Sequence, residues 1–403
     1  MSLVSQTPTV TESIWSKIER LVCGENLPEE VYVKGNFAYL STSETPLARR
    51  FGFYLLDAFF VLQTCTIVAD LATVLSDIGL FGDNMCILAG LLMMLSKRLH
   101  CATVYDELDE CVEQLQVYHE RYRRQGDAFV REMRRRETQE RLLQNASKWI
   151  ATILGGCLIV NGLFSHGEKL ILRASYPFST ATPLGYGCVI LCQAFLIGSV
   201  LFNVLFIDSV GTQVFSQMGL IFDMQCMEFE MIGIDLVIPT EGPLHGEATL
   251  RCQVHGLMAD HQQLLAFCNR VKRLFEPNIM VQFVCSLLII CLTAFELMFT
   301  KGDPMQMLRF GAYMLTAFYQ IFLWSFFGNL ITHTSTGVSD AMARCNWLAL
   351  DDALKKDLQF TMMRAQRPFI IDVYRLFPLT YDSFIAILSR SYSICTLLRT
   401  MVE

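Results

Sequence analysis

The residues whose type and spacing could do chemistry lie in the last stretch, Thr380 to Glu403. Read as a helix, Ser389, Ser393, Thr396 and Thr400 step by four, three and four and so share one side. Phe384, Ile387, Leu388, Ile394, Leu398 and Val402 cover much of the remainder, and Leu397 and Met401 border the hydroxyl stripe. The stretch is long enough to cross a bilayer but too polar for a span surrounded by lipid. Lipid cannot satisfy hydroxyls, so the polar face requires protein or water beside it. Four such faces around an axis would form an ion path, narrowed where Leu397 and Met401 project. A helix buried in a bundle, its hydroxyls bonded to backbone carbonyls, would carry the same pattern. The residues of this stretch leave both readings open.

A second constellation suits binding. Met85, Leu88, Phe164, Phe195, Phe310 and Tyr313 fall in the same halves of apolar stretches, and Gly155, Gly156 and Gly162 leave room between them. Apolar walls with one or two hydroxyls fit a small volatile or lipid-like molecule. Ordinary packing between helices uses the same residue types. Catalytic signatures are missing: there is no nucleophile elbow, phosphate loop, H-E-x-x-H or dinucleotide fingerprint. The 15 cysteines contain no C-x-x-C and no zinc spacing, so neither a metal nor a cofactor is expected. His119, His166, His245, His255, His261 and His333 read as surface or interfacial residues. Glu120-Arg121-Tyr122 matches the triplet of G-protein-coupled receptors, but it follows a second apolar stretch by some twenty residues and reads as a solvated helix face.

The elements that must position these residues are membrane helices. Hydrophobic residues make up 53% of the 403 and charged residues only 18%, against about a quarter in soluble chains. The net charge of -7 excludes a basic nucleic-acid surface. Seven apolar stretches separate: Phe51–Leu75, Met85–Lys97, Trp149–Phe164, Leu184–Ile207, Ile279–Phe299, Phe310–Ile331 and the C-terminal helix. The second is short and is expected to continue as one long helix into the polar run that follows. Arg121, Arg123, Arg124, Arg131, Arg134, Arg135, Arg136 and Arg141 crowd the connection after it, whereas opposite loops carry only Lys169, Arg173, Lys301 and Arg309. That asymmetry predicts a cytosolic N-terminus and an extracellular C-terminus. The N-terminal segment lacks a signal-peptide pattern, and Trp15–Val22 could lie on the membrane as an amphipathic helix. Long helical connections, His100–Ser147, Met224–Pro277 and Thr334–Pro368, predict a compact cytosolic region of helix extensions. Tyr176-Pro177-Phe178, amid Ser, Thr and Pro, predicts a structured lid over the outer face. The fold class is therefore all-α and polytopic, with seven transmembrane helices.

From Phe326 onward the chain closely resembles the C-terminal signature of insect odorant receptors. The landmarks are Gly328, Ser335, Val338, Ala341, Trp347, Leu358, Ala365-Gln366-x-Pro368, Phe384, Ser391-Tyr392-Ser393 and Leu397-Leu398, with the Tyr176-Pro177-Phe178 loop upstream. The resemblance covers in detail about the last fifth of the chain. It implies an odorant-gated, non-selective cation channel that assembles as a tetramer with a shared co-receptor in the plasma membrane of sensory neurons. The co-receptor's long insertion in the second cytosolic loop is lacking, so the resemblance is to an odorant-binding subunit. It implies a gate at Leu397, with Ser393, Thr400 and Met401 along the pore, and an odorant pocket among Met85, Leu88, Gly156, Phe164, Phe195, Phe310 and Tyr313. It assigns 1–333 to the ligand-binding bundle, 334–379 to the assembly anchor that carries Trp347, Gln366 and Pro368, and 380–403 to the pore helix. Membrane lipid, permeating cations and a small volatile are the other implied partners. A gustatory-type channel, which assembles without that co-receptor, and a G-protein-coupled receptor are the alternatives.

Overall fold

The structure, a computed structural model, describes residues 47–74, 78–164, 170–178, 182–233, 243–299 and 304–402. Trp15–Val22 and His166 lie outside the described residues, as do the side chains of Phe164, His245, Thr400 and Met401. The helices are α1 (Leu47–Thr73), α2 (Ile78–Thr103), α3 (Tyr105–Arg123), α4 (Asp127–Phe164), α5 (Pro183–Glu230), α6 (Pro243–Phe299), α7 (Pro304–Arg344), α8 (Asp352–Ala365) and α9 (Tyr381–Val402). Among the described residues, α1, α2, α5, α6 and α7 each hold a stretch long and apolar enough to cross a membrane. The 57 residues of α6 extend about 85 Å, far beyond the ~20 residues that a bilayer requires. Such overshoot builds the helical region that the long polar connections predict.

The expected single helix through the second apolar stretch is instead two. It breaks at Val104 (φ -105°, ψ 13°). There the His100 carbonyl accepts both the Val104 amide at 3.1 Å and the Thr103 hydroxyl at 2.7 Å. The next reversal, between α3 and α4, needs Gly126, whose φ of +133° no side chain tolerates well. At the start of α5, Pro183 follows Thr182, whose hydroxyl accepts from the Gly185 amide at 3.2 Å and caps the helix.

Two apolar cores result. At the end that holds the Arg-rich connection, α3, the C-terminal part of α5, α6, α7 and the residues after α8 share one, with Phe215 edge-on to Phe275 and Trp324. At the opposite end, α1, α2, α4, the N-terminal part of α5 and Ala312 enclose a second. The chain then returns along α7. Ser335 Oγ accepts from the Phe369 amide at 2.9 Å, and a hairpin pairs β1 (Asp372–Val373) with β2 (Phe377–Pro378). A Cβ at Gly328 would overlap the Leu379 carbonyl oxygen, so only glycine lets the entry to α9 lie this close to α7.

Candidate conduit face, ligand-binding end and buried charge clusters

α9 packs on α6 and α7 through one side only. Ser391 is buried and donates to the Ile387 carbonyl at 2.8 Å, while Phe384 meets Phe322 edge-on. The opposite side carries Ser389, Arg390, Ser393 and Leu397, all exposed, with Leu397 at 61%. The chain therefore leaves Ser389 and Ser393 of the hydroxyl stripe uncovered, with Thr396 half-buried. Ser393 Oγ donates to the Ser389 carbonyl at 3.0 Å and Thr396 Oγ1 to the Ser393 carbonyl at 2.8 Å. A hydroxyl has one donor and two acceptor lone pairs, so spending the donor on the helix leaves oxygen lone pairs facing outward. Those lone pairs suit water and cations, while the exposed Arg390 on the same side adds a positive charge.

At the opposite end, Leu88 and Tyr313 join the second core, while Met85 is half-buried and Phe310 buried. Phe195 is not enclosed: it is 57% exposed and meets Phe59 edge-on at 5.5 Å. Gly156 faces outward, whereas neighbouring Gly155 abuts Leu201. The structure thus gathers part of the expected binding set and leaves Phe195 and Gly156 on the outside of the single chain. An open groove of about 470 Å³, lined by Lys272, Arg273, Asp372 and Tyr374 among others, lies instead between α6 and the hairpin.

The segment before α5 is fastened. The Gln193 side chain bonds both the amide and the carbonyl of Leu172 at 3.0 and 2.7 Å, and the Tyr176 hydroxyl links Gln193 to Gln63, 3.1 Å from each. Ser175 donates its amide to the Thr66 carbonyl at 3.1 Å. These bonds tie the segment that holds Tyr176-Pro177-Phe178 to α1 and α5.

Three charged clusters lie between the apolar stretches; Asp70 and Asp57 inside the first stretch call for such shielding by protein, whereas the partners come only from the fold. Lys97, with 0% exposure, meets Asp208 of α5 and Gln282 of α6, and Gln320 of α7 reaches Asp208 at 3.4 Å. Asp70 accepts from Asn84 at 2.7 Å and pairs with Arg173 at 2.8 Å. Arg309 pairs with Asp83 at 2.9 Å. Charges at these depths are tolerated only when paired, and the signal was present as charged residues inside or beside apolar runs.

Of the Glu120-Arg121-Tyr122 triplet only Glu120 lies on a solvated face. Arg121 joins Glu228 at 2.9 Å and Asp260 at 2.5 Å, and buried Tyr122 donates to Glu228 at 3.2 Å. Burial raises the Tyr122 phenol, which keeps its proton for that bond. His261 is likewise buried, 3.0 Å from the Gln225 side chain, rather than on the surface. Nearby, Glu140 receives Gln144 at 3.1 Å and Gln217 at 3.4 Å, and burial pushes its carboxyl up to about 8.

The family model for the 7tm odorant receptor matches residues 77–392. The chain belongs to the 7tm odorant receptor family. Among relatives, it is 23% identical to Odorant receptor 47b of Drosophila melanogaster over 79% of this chain and 77% of that protein. Odorant receptor 65a of the same fly is 22% identical over 86% of this chain and 84% of its own length. The structure of the insect olfactory receptor OR5 from Machilis hrabei in complex with eugenol superposes with a TM-score of 0.76. It covers 92% of this chain and 98% of that one at 14% identity, which establishes a shared fold. In this receptor the landmark residues have visible work: Gly328 admits Leu379, Ser335 ties Phe369, and Val338, Ala341 and Leu358 are fully buried. Trp347 donates from its indole to the Ala343 carbonyl at 3.1 Å, while Gln366 and Pro368 stand exposed.

Proposed function

We propose that this receptor is the odorant-binding subunit of a ligand-gated, non-selective cation channel, formed as a tetramer with a shared co-receptor in the plasma membrane of sensory neurons. Seven spans, with α4 and α9 supplying two, put the N-terminus in the cytosol and the C-terminus outside. The observation that carries the reading is the outward hydroxyl face of α9, left bare by its own chain, with hydroxyl donors already used on the helix. A spanning helix with that face needs water or protein against it, and a conduit between subunits supplies water. Leu397 forms the gate, with Ser393, Thr400 and Met401 along the same path. Residues 334–379 serve as the assembly anchor, where Trp347, Gln366 and Pro368 sit beside exposed Leu348 and Phe360, apolar surface of the kind that partners cover.

A small volatile enters the end lined by Met85, Leu88, Phe164, Phe310 and Tyr313, with Phe195 and Gly156 at its margin. It opens the pore only to the extent that it binds the open arrangement more tightly than the closed one. The test is co-expression with the co-receptor in oocytes, recording against an odorant panel. Odorant-evoked cation current that vanishes without either subunit is expected. Current from this chain alone would favour a gustatory-type channel, and an N-terminal epitope accessible on intact cells would point to a G-protein-coupled receptor.

A further inference from the structure

The ion pair between α2 and α7 is incompletely satisfied. Asp83 uses one carboxylate oxygen on an Arg309 terminal nitrogen at 2.9 Å. Its other oxygen, Oδ1, and Arg309 Nε have no partner among the described residues, although the two side chains are only 13% and 12% exposed. An acceptor and a donor thus remain open on one buried pair, where unmet polar groups are costly. Apolar surface adjoins them: the Arg309 guanidinium lies 4.8 Å above the Phe310 ring, and Tyr313 follows one helical turn on. Glu296 of α6, also buried, rests against the α2 backbone at Gly82, next to Asp83.

We propose that this site selects small alcohols, the odorant hydroxyl donating to Asp83 Oδ1 and accepting from Arg309 Nε. This deepens the proposed odorant-binding role and rests on it. A neutral hydroxyl is the smallest group that answers both open positions at once. An ether or ester can accept from Arg309 but leaves Asp83 unmet, and a carboxylate is repelled by Asp83. An ammonium group satisfies Asp83 but leaves Arg309 Nε bare and adds a cation beside it. A site built to bond a hydroxyl discriminates steeply against analogues that lack it.

The full chain is co-expressed with its co-receptor and challenged with alcohols of five to nine carbons and with aromatic alcohols. Each is paired with the methyl ether, amine and acid of the same skeleton. Alcohols are expected to act at about 10- to 100-fold lower half-maximal concentration than their ethers. Arg309→Lys keeps the charge but removes Nε and should shrink that gap about tenfold, with the response to a co-receptor agonist retained as the control for folding and assembly. Ethers equal to alcohols, amines or acids preferred, or an alcohol preference untouched by Arg309→Lys would each overturn the assignment. A water molecule alone at the pair would appear as equal potency of alcohols and ethers. Silence to every odorant beside a normal co-receptor agonist response would refute odorant gating itself, and the alcohol site with it.

Discussion

Lys97→Met tests whether the central charge cluster holds the bundle together. The methionine fills much the same volume and leaves Asp208 buried, its remaining contact the Gln320 amide at 3.4 Å. Breaking one partner of a buried pair costs about 3–5 kcal/mol, because the remaining charge has no water to return to. Scaled by an unfolding entropy of about 2.1 cal/mol/K per residue over 403 residues, this is a drop of roughly 4–6 °C in melting temperature. The assay is thermal melting of the detergent-solubilised receptor, followed by fluorescence-detected size exclusion. Lys97→Met with Asp208→Asn removes both charges, keeps a hydrogen-bonding amide beside Gln282 and Gln320, and should recover most of the loss. A single variant that melts within a degree of the unaltered receptor, or a double variant no better than the single, would refute the reasoning.

Leu397→Ala should raise the current at rest or change ion permeation in complexes with the co-receptor; unaltered rest current and conductance would remove Leu397 from the gate. Gly328→Ala places a methyl into the Leu379 carbonyl and should reduce folded receptor at the cell surface severalfold, measured by surface labelling, with Gly187→Ala, which meets open space, as the neutral comparison. For Glu140, whose carboxyl is held up at about 8 against an ordinary 4.5, the fold binds a proton that the unfolded chain releases between those values. Its stabilising share is complete below pH 4.5 and is lost as pH rises through 8. Relative to Glu140→Gln, the unaltered receptor should therefore melt lower at pH 8.5 than at pH 6 by a few degrees, and a pH-independent difference would contradict the burial argument.

Much of the architecture was legible because lipid imposes a simple code: long apolar runs are helices, and Arg-rich connections mark one face. The hydroxyl stripe of α9 was readable for the same reason, since Ser389 and Ser393 share a side whatever they touch. Tertiary detail was not. The break at Val104 interrupts what the pattern reads as one continuous helix, and periodicity carries no trace of it. Arg121 and Tyr122 look like part of a solvated basic face until α5 and α6 bring Glu228 and Asp260 to them from over 100 positions away. Phe195 and Gly156 share the composition of a pocket wall, yet helix rotation turns them outward, and only packing fixes rotation. Lys97 and Asp208 are each unremarkable singly; their meaning lies in a pairing across 111 positions.

On the proposed function, the exposed side of α9 faces a watery path shared with neighbouring subunits. Ser393→Cys, co-expressed with the co-receptor and exposed to a charged thiol reagent during odorant application, tests it most directly. Rapid, irreversible change of the evoked current is predicted, with the unaltered receptor and the buried-side variant Ser391→Cys unaffected. A Ser393→Cys channel that the reagent never touches, or a Ser391→Cys channel that it blocks equally, would contradict the orientation on which the account depends.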